Sequence, residues 1–221
     1  MNLNKILEFF DARQLEDTAI HLIGVGAIGG FIAEHLARIG IKKLHIWDFD
    51  TVDPHNITNQ IYTHSHIGLS KTDALTAILL EINPDMEVIT HERWEKGASI
   101  TGHVFLGVDS ISTRREFMED NKMNYSIKTL TDIRMGLLGA QAYFVKDWKV
   151  NKEKNNLIAL SQFNSDEVEE TVSACGTTLS VAPTIRLVVA VAVANWMNSF
   201  IGKPTNFTLL TNAFVPFVES V

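Results

Sequence analysis

A glycine-rich turn and the acidic residue that follows it give the first indication of chemistry. Gly24, Gly26 and Gly29 form the pattern G-x-G-x-x-G between an apolar run and a segment with helical spacing. The first glycine permits a tight turn, the second lets backbone approach a phosphate, and the third lets helix and strand pack closely. Asp48 lies 24 residues after Gly24, where a carboxylate can bind ribose hydroxyls. The pattern predicts a nucleotide site without distinguishing NAD from ATP; the alternative is glycines needed only for packing.

The elements that position this turn alternate along the chain. Compact apolar runs predict buried strands, and apolar residues three or four positions apart predict helices. The predicted strands are 19–24, 43–48, 86–91, 103–108, 126–130, 139–145 and 208–215. The predicted helices are a leading helix at 1–17, then 29–39, 71–82, 112–124 and 183–200. Short connections between them predict an α/β fold, a Rossmann-like doubly wound, mostly parallel sheet with helices on both faces.

Two segments of the second half are less regular. Residues 183–200 are valine-rich, which favours a strand, but their length and small residues favour a buried helix. Residues 151–180 contain a polar, irregular stretch between 151 and 172. We expect a mobile crossover loop there, because long polar connections often cover a functional site.

Composition limits the class of protein. The 221 residues carry 19 Lys+Arg against 26 Asp+Glu, a net charge of −7, which argues against a broad nucleic-acid-binding face. We expect a single domain at 1–221. The single cysteine excludes a disulfide framework and a zinc site made of four thiolates. The apolar stretch 179–196 is broken by Pro183 and Arg186, and residues 1–11 lack a long apolar run, so we expect a cytoplasmic protein with no membrane span.

The segment after Asp48 separates the nucleotide classes. Residues 47–60 read WDFDTVDPHNITNQ, which is not what usually follows the acidic strand end of a dehydrogenase. They resemble the D-x-D-x-V and N-L-x-R-Q motifs of the ThiF/MoeB/HesA family of E1-like adenylyltransferases. The residues that carry this likeness are Asp48, Asp50, Asn56, Asn59 and Gln60.

Further motifs follow in the family's order. Lys71 closes a G-x-x-K segment, and Asp109 with Arg114 downstream resembles the family's strand-end aspartate and arginine. Residues 132–136 are similar to a D-x-R-M-G element of some small members, and Cys175 precedes the apolar helix, where several members place a cysteine. The likeness extends over roughly residues 19–203.

The resemblance implies a function. Family members use ATP to activate a carboxylate as an acyl-adenylate with release of pyrophosphate, and the acid is often the C-terminus of a small ubiquitin-like protein or peptide. It also implies a homodimer. By resemblance, Asp48 holds the ribose, Gly26 brings backbone to the phosphates, Lys71 pairs with the phosphates and Asp109 holds Mg²⁺. Each assignment suits its residue type, since lysine is a mobile charge for phosphate and a hard cation prefers carboxylate oxygen.

Three family features are missing. The arginine of N-L-x-R-Q is Asn59 here, and an amide does not replace the charge of a guanidinium. The upstream R-Y-x-R-Q segment, whose arginine reaches the partner subunit's ATP, has no counterpart beyond Arg13. The paired C-x-x-C zinc motifs are also absent. Our hypothesis is that Arg134, or a basic group from a partner chain, supplies the lost charge.

Simpler roles remain open for several of these residues. Cys175 is either the nucleophile that takes the acyl group or a small inert residue. Asn56 and Gln60 could be structural amides, Lys71 a surface lysine, and Arg134 the partner of Asp132 in a structural ion pair. Arg114 and Arg115 could form a solvated helix face, and His64 and His66 are interpreted as ordinary loop residues.

Three functions are therefore compared. The first is an ATP-dependent adenylyltransferase acting on a protein or peptide carboxylate. The second keeps the fold as a nucleotide- or partner-binding module with weakened catalysis, which the substitution at Asn59 favours. The third is an NAD-dependent oxidoreductase, for which Lys71 and Asp109 would be unnecessary.

Overall fold

The computed structural model describes residues 1–163, 180–215 and 218–220, and its strands form one sheet. The strands are β1 (Ile20–Ile23), β2 (Lys43–Trp47), β3 (Glu87–His91), β4 (Gly102–Leu106), β5 (Ile127–Met135), β6 (Gly139–Val145), β7 (Thr208–Asn212) and β8 (Val218–Ser220). Their spatial order is β3-β2-β1-β4-β5-β6-β7-β8. The first five strands in this order are parallel, and β5 through β8 pair antiparallel. The predicted Rossmann-like sheet is confirmed.

Helices cover both faces of the sheet, as predicted. They are α1 (Ala27–Arg38), α2 (Lys71–Ile82), α3 (Ile111–Asn121), α4 (Asn151–Phe163) and α5 (Ala182–Asn198). One core cluster joins α1, α2 and α5 through residues such as Ile32, Leu75 and Val189. A second cluster joins α3 and α4 through Phe117 and Leu157. None of the helices in the described ranges has the length and apolarity that a bilayer crossing requires.

The helix preference for 183–200 is confirmed by α5, but two other predicted segments differ. Residues 1–17 do not form one helix, because turns around residues 4–9 give way to a short 3₁₀ helix at Ala12–Leu15. The Asp11 side chain accepts from Arg13 N at 3.0 Å and starts this new turn, which interrupts the first.

The predicted mobile loop at 151–180 is wrong over its first part. Residues 151–163 form α4, which packs against α3. Lys154, Leu157 and Ser161 are buried at helical spacing, but two of the three are polar, so apolar periodicity does not reveal the helix. Residues 164–179 lie outside the described residues.

Strand β5 is longer than the predicted 126–130. Its antiparallel pairing with β6 continues to Met135 and places Asp132 opposite Tyr143 and Arg134 opposite Gln141. Asp132 and Arg134 therefore lie within a strand, not after its end.

A buried histidine in the sheet makes stability depend on pH. His103 of β4 is 3% exposed, and its Nδ1 lies 2.8 Å from Thr129 Oγ1. Burial, with a smaller contribution from Lys128, lowers the pKa of His103 to about 4. Between about pH 6.5 and pH 4 the unfolded chain therefore binds a proton that the folded chain excludes, so stability falls as the pH falls.

We predict that His103→Gln flattens this pH dependence. In the parent protein, His103 costs about 2 kcal/mol of unfolding free energy between pH 7 and pH 5. Glutamine cannot take up the proton. Between pH 7 and pH 5, the unfolding free energy of the variant should therefore fall by about 2 kcal/mol less than that of the parent protein, as measured by urea titrations at the two pH values. His64→Gln, at an exposed loop position, is the control; equal slopes for all three proteins would contradict the assignment.

Candidate active site

The glycine turn lies where the central strand β1 ends and α1 begins. Gly24 takes φ +85°, and its N–H donates to Trp47 O at 2.8 Å. A Cβ on Gly29 would lie 1.9 Å from Gly24 O, so no side chain fits there. A Cβ on Gly26 would meet only Gln60 Nε2, at 4.0 Å. Gly26 therefore borders open space at the N-terminus of α1, where backbone N–H groups and the helix dipole favour an anion.

Asp48 follows β2 and is fixed to this turn. Its Oδ2 accepts from Val25 N at 2.8 Å, and its Oδ1 accepts from Asp50 N at 2.9 Å. Burial raises the pKa of Asp48, while the two backbone hydrogen bonds and the charge of Lys71 oppose that rise. Both carboxylate oxygens are thus held in one orientation and keep lone pairs for further donors such as hydroxyls.

Lys71 is the first residue of α2 and is buried. Its Nζ lies 2.9 Å from Asp50 Oδ2, with the lysine side chain 9% exposed and the aspartate side chain 48% exposed. Its backbone N–H donates to Asp50 O at 2.8 Å. A cation is unfavourable at a helix N-terminus, and the Asp50 carboxylate offsets that cost. Lys71 is therefore not a solvated surface lysine; its charge is held beside Asp48 and Asp50.

The loop between β2 and α2 uses its amides in two ways. Asn56 is buried, and its Oδ1 accepts from Asp53 N at 2.9 Å, which is a structural role in a short 3₁₀ helix at Pro54–Thr58. Gln60 places Nε2 near Gly26, while its buried Oε1 has no hydrogen-bond partner in the described part of the chain. A buried acceptor without a partner is costly. Of the two amides, Gln60 is therefore the one with an unused acceptor for a ligand.

Two further contacts connect this loop to distant segments. Asn59 Nδ2 donates to Ser180 Oγ, just before α5. The buried Tyr62 hydroxyl donates to Val25 O at 2.7 Å and lies 3.3 Å from Lys71 O. Tyr62 thus ties the glycine turn to the start of α2.

Asp109 stands at the end of β4, beside the turn. The β4–β1 pairing continues through Gly107 N, which donates to Ile23 O at 2.8 Å. The Asp109 side chain is exposed, and its Oδ1 accepts from Ser110 N at 2.8 Å. In the described residues no three His, Cys, Asp or Glu side chains are grouped as metal ligands. Mg²⁺ is commonly held by one or two carboxylates together with substrate phosphates, and a lone Asp109 fits that mode.

A buried charge network lies behind Asp109. Arg114, 3% exposed, forms an ion pair with the fully buried Asp132 and donates to Val108 O and, at 2.9 Å, to Ile133 O. Burial and the neighbouring Arg134 lower the pKa of Arg114 to about 9, and Asp109 opposes that shift. The solvated-face alternative is wrong for Arg114, which instead ties the ends of β4 and β5 together.

Arg134 shares the same carboxylate. Its Nε donates to Asp132 Oδ2 at 2.9 Å, and its side chain is 12% exposed. Its Nη1 and Nη2 are buried without a hydrogen bond among the described residues, although Nη2 lies 2.8 Å from Asp132 Oδ2. Two guanidinium groups thus face one carboxylate, which leaves a local excess of positive charge.

The structure joins most predicted site residues by direct contacts or close approach. Those on the turn side are Gly24, Gly26, Gly29, Asp48, Asp50, Gln60 and Lys71. Arg134 is bound to Asp132, as the structural alternative proposed, and Asn59 to Ser180. Cys175 lies outside the described residues, so its role stays a prediction.

Sequence reasoning missed Tyr62 and Ser180. An aromatic residue in a polar loop gave a weak signal for Tyr62, since buried tyrosines usually bind through their hydroxyl. Ser180 had no such signal, because its partner is 121 residues away.

The sheet is mixed and mostly parallel, with a glycine turn at β1, an acid after β2 and a lysine at the start of α2. This arrangement is typical of the Rossmann-like class of nucleotide-binding folds. The model of the ThiF family matches residues 2–217, and the chain belongs to that family. Family membership supports an adenylating, E1-like enzyme type.

Curated relatives match a shorter region of the chain. Ubiquitin-like modifier-activating enzyme 5 from Drosophila simulans is 41% identical over 81 residues, which are 37% of this chain and 20% of the relative. The protein of the same name from Caenorhabditis briggsae is 37% identical over 81 residues, 37% of this chain and 19% of the relative. The match thus spans about a fifth of the length of these relatives.

Solved structures share the fold. The structure of E. coli MccB with ATP has a TM-score of 0.71 and 14% identity, over 95% of this chain and 65% of that one. E. coli TcdA, a tRNA N6-threonylcarbamoyladenosine dehydratase, has a TM-score of 0.65 and 18% identity, over 90% of this chain and 94% of that one.

We predict opposite effects for two glycines of the turn. Gly29→Ala should lower the free energy of unfolding by about 3 kcal/mol or more, since overpacking costs about 1–3 kcal/mol and the contacted atom here is backbone. Gly26→Ala, which faces open space, should change it by less than about 1 kcal/mol. Urea titrations measure both; similar losses in the two variants would contradict the close approach.

We also predict that Asp132 and Arg134 are energetically coupled. Asp132→Asn should cost about 3–5 kcal/mol, because two buried guanidiniums lose their counter-ion. Adding Arg134→Met should recover part of that loss, since one of the two charges is then removed. Glu119→Gln, which breaks the exposed Lys122–Glu119 pair at 2.8 Å, should cost less than about 1 kcal/mol. Additive effects of the two substitutions in unfolding measurements would exclude the shared carboxylate.

Proposed function

We propose that this protein is an ATP-dependent adenylyltransferase. It activates the C-terminal carboxylate of a small ubiquitin-like protein or peptide as an acyl-adenylate and releases pyrophosphate. The observation that carries the proposal is Lys71, a buried cation held 2.9 Å from Asp50 beside Asp48 and the glycine turn. A dinucleotide-binding oxidoreductase has no need for a lysine there.

The turn and Asp48 account for nucleotide binding. The N-terminus of α1 at Gly26 takes phosphate, and the Asp48 carboxylate, held by Val25 N and Asp50 N, takes ribose hydroxyls. Gln60, whose Oε1 has no partner among the described residues, faces the same opening. Asp50, Asn56 and Asn59 shape the loop that closes this side.

Charge compensation accounts for the chemistry. A carboxylate that attacks the α-phosphate meets like charge, and negative charge grows on the leaving pyrophosphate, so fixed cations lower the barrier. Lys71 exchanges Asp50 for phosphate oxygens as the nucleotide binds. Asp109 would hold a Mg²⁺ ion, which would supply further positive charge beside the phosphates. Arg134 brings the remaining charge at the end of β5, where its Nη2 lies 2.8 Å from Asp132 Oδ2 and its Nη1 makes no hydrogen bond among the described residues.

The comparisons support the substrate class. The curated relatives are named as enzymes that activate ubiquitin-like modifiers. MccB has been solved with AMPCPP and with MccA in one complex. We propose a protein or peptide acid for this chain on that basis, with Cys175 as the residue that takes the acyl group and a homodimer as the working form.

One observation favours a second candidate. Asn59, which replaces the family's phosphate-binding arginine, is engaged with Ser180 and carries no charge. A protein that binds nucleotide but has lost turnover would show the same geometry. Binding and turnover must therefore be measured separately.

We predict that MgATP binding, measured by calorimetry, depends on Lys71 and Asp109. Lys71→Ala should weaken binding by about 10- to 100-fold, because a charge-assisted hydrogen bond contributes about 1.5–3 kcal/mol. Asp109→Asn should weaken binding only when magnesium is present. Lys122→Ala, which removes an exposed, ion-paired lysine directly after the C-terminus of α3, should bind as the parent protein does.

The contrary outcomes are specific. NAD⁺ binding that ignores both substitutions would favour the oxidoreductase. MgATP binding without pyrophosphate exchange, across a panel of peptide carboxylates, would favour the catalytically weakened module. Unchanged exchange in Arg134→Ala would remove Arg134 from the catalytic group. If non-reducing mass spectrometry of active reaction mixtures finds no product linked to Cys175, the nucleophile role of Cys175 is contradicted.

A further inference from the structure

Four rings lie together on one face of the sheet, where β1, β2 and β3 run side by side. They belong to His21, His45, Trp47 and His91, and we call them the ring stack. Their centroids are 4.5 Å apart for His21–His45, 5.3 Å for His45–His91 and 3.8 Å for Trp47–His91. The last two rings are nearly parallel, with an interplanar angle of 9°. Trp47 packs against the core cluster shared with α3 and α4, on the opposite face from α1 and α2.

Hydrogen bonds add order to the ring stack. Trp47 Nε1 donates to His21 Nδ1 at 3.3 Å, and His45 Nδ1 lies 3.0 Å from His91 Nε2. An indole N–H is only a donor, so His21 Nδ1 carries no proton. The contact between His45 and His91 accommodates one hydrogen. The pattern therefore requires neutral His21 and a single shared hydrogen between the other two.

The local electrostatics agree with a neutral ring stack. Burial, with the other two histidines, lowers the pKa of His21 to about 3. Burial also lowers the pKa of His45 and of His91. Lys43 lowers the pKa of His45 further, whereas Glu87, 3.5 Å from Lys43, opposes this. At neutral pH the rings therefore stack without mutual repulsion.

The backbone of the ring stack leads directly into the candidate site. Trp47 immediately precedes Asp48, and its carbonyl accepts from Gly24 N at 2.8 Å. The His91 carbonyl accepts from Asp48 N at 3.3 Å. Trp47 and His91 are also register partners across β2 and β3. The two stacked side chains thus hold together the residues whose carbonyls locate Asp48 and the glycine turn.

We propose that Trp47 and His91 are positioning residues for the Asp48 carboxylate. Their stacked rings fix the last residue of β2 against the last residue of β3, and thereby fix the direction in which Asp48 presents its oxygens. Neither side chain is assigned a contact with the nucleotide. This inference rests on the proposed function, because it takes Asp48 as the ribose-binding group.

The test compares MgATP with magnesium tripolyphosphate, which lacks the whole adenosine and therefore the ribose hydroxyls. Trp47→Ala should weaken MgATP binding about tenfold and leave binding of magnesium tripolyphosphate within about twofold, because tripolyphosphate has no hydroxyls for Asp48. Trp47→Phe keeps a ring against His91 and should restore MgATP affinity to within about threefold of the parent. His91→Ala should show the same selective loss of MgATP affinity, and His91→Phe the same recovery. Calorimetry well below the thermal midpoint of every variant measures both ligands.

A matched control separates positioning from loss of stability. Trp94 is buried, whereas Trp47 is half-buried. Trp94 packs on Phe117 at 5.1 Å in the same core cluster, and within the described ranges its side chain makes no hydrogen bond to the candidate site. Trp94→Ala should lower the thermal midpoint without a selective loss of MgATP affinity. The same selective loss in Trp94→Ala would overturn the positioning role.

A double-mutant cycle tests whether Trp47 acts through Asp48. In an Asp48→Asn background, Trp47→Ala should cause little further loss of MgATP affinity, because the group that it positions is already altered. Additive losses would overturn the proposal, as would equal losses for ATP and tripolyphosphate. If the parent protein binds no ATP, the proposed function fails and the positioning role falls with it. If the parent binds ATP and Trp47→Ala binds it equally well, only the positioning role fails.

Discussion

The close approach of three glycine backbones is the constraint on which the site depends. A Cβ on Gly29 would lie 1.9 Å from Gly24 O, and one on Gly107 would lie 3.2 Å from the same oxygen and from Gly29 N. The end of β1, the start of α1 and the end of β4 therefore meet at one place without side chains between them. On the proposed function, this contact is what allows Asp48 on one flank and Asp109 on the other to serve a single nucleotide.

Charged groups around this contact are arranged in compensated sets. Lys71 is neutralised by Asp50, and Arg114 with Arg134 is partly neutralised by Asp132. Each set holds its cations in a fixed position, and on the proposed function that position is set before the nucleotide binds. The sets differ in exposure, since Asp50 is open to solvent and Asp132 is not. Lys71 is thus the cation that can change partner, while Arg114 is structural.

The sequence allowed prediction of the features that depend on local pattern. The glycine turn, α2 and the two-faced sheet follow from periodicity and from glycine spacing, which are local properties. Helix α4 was missed because buried polar residues such as Lys154 hide its periodicity. Two long-range contacts gave no sequence signal. In the ring stack, His45 and His91 are 46 residues apart, and the bonded Asn59 and Ser180 are 121 residues apart. Only the paired strands and the docking of α5 bring such residues together.

Asn59 stands where the family motif has an arginine, and its contact with Ser180 shows what this replacement changes. An arginine at this place would add one positive charge to the phosphate side of the opening, but Asn59 instead ties the β2–α2 loop to Ser180 at the approach to α5. The loop thereby gains a tether and the opening loses a charge. The positive charge that remains near the opening comes from Lys71, the N-terminus of α1 and the unbalanced pair around Asp132. On the proposed function, these three sources meet the electrostatic requirement for binding a triphosphate, and we expect the lost arginine to affect mainly the rate of the reaction.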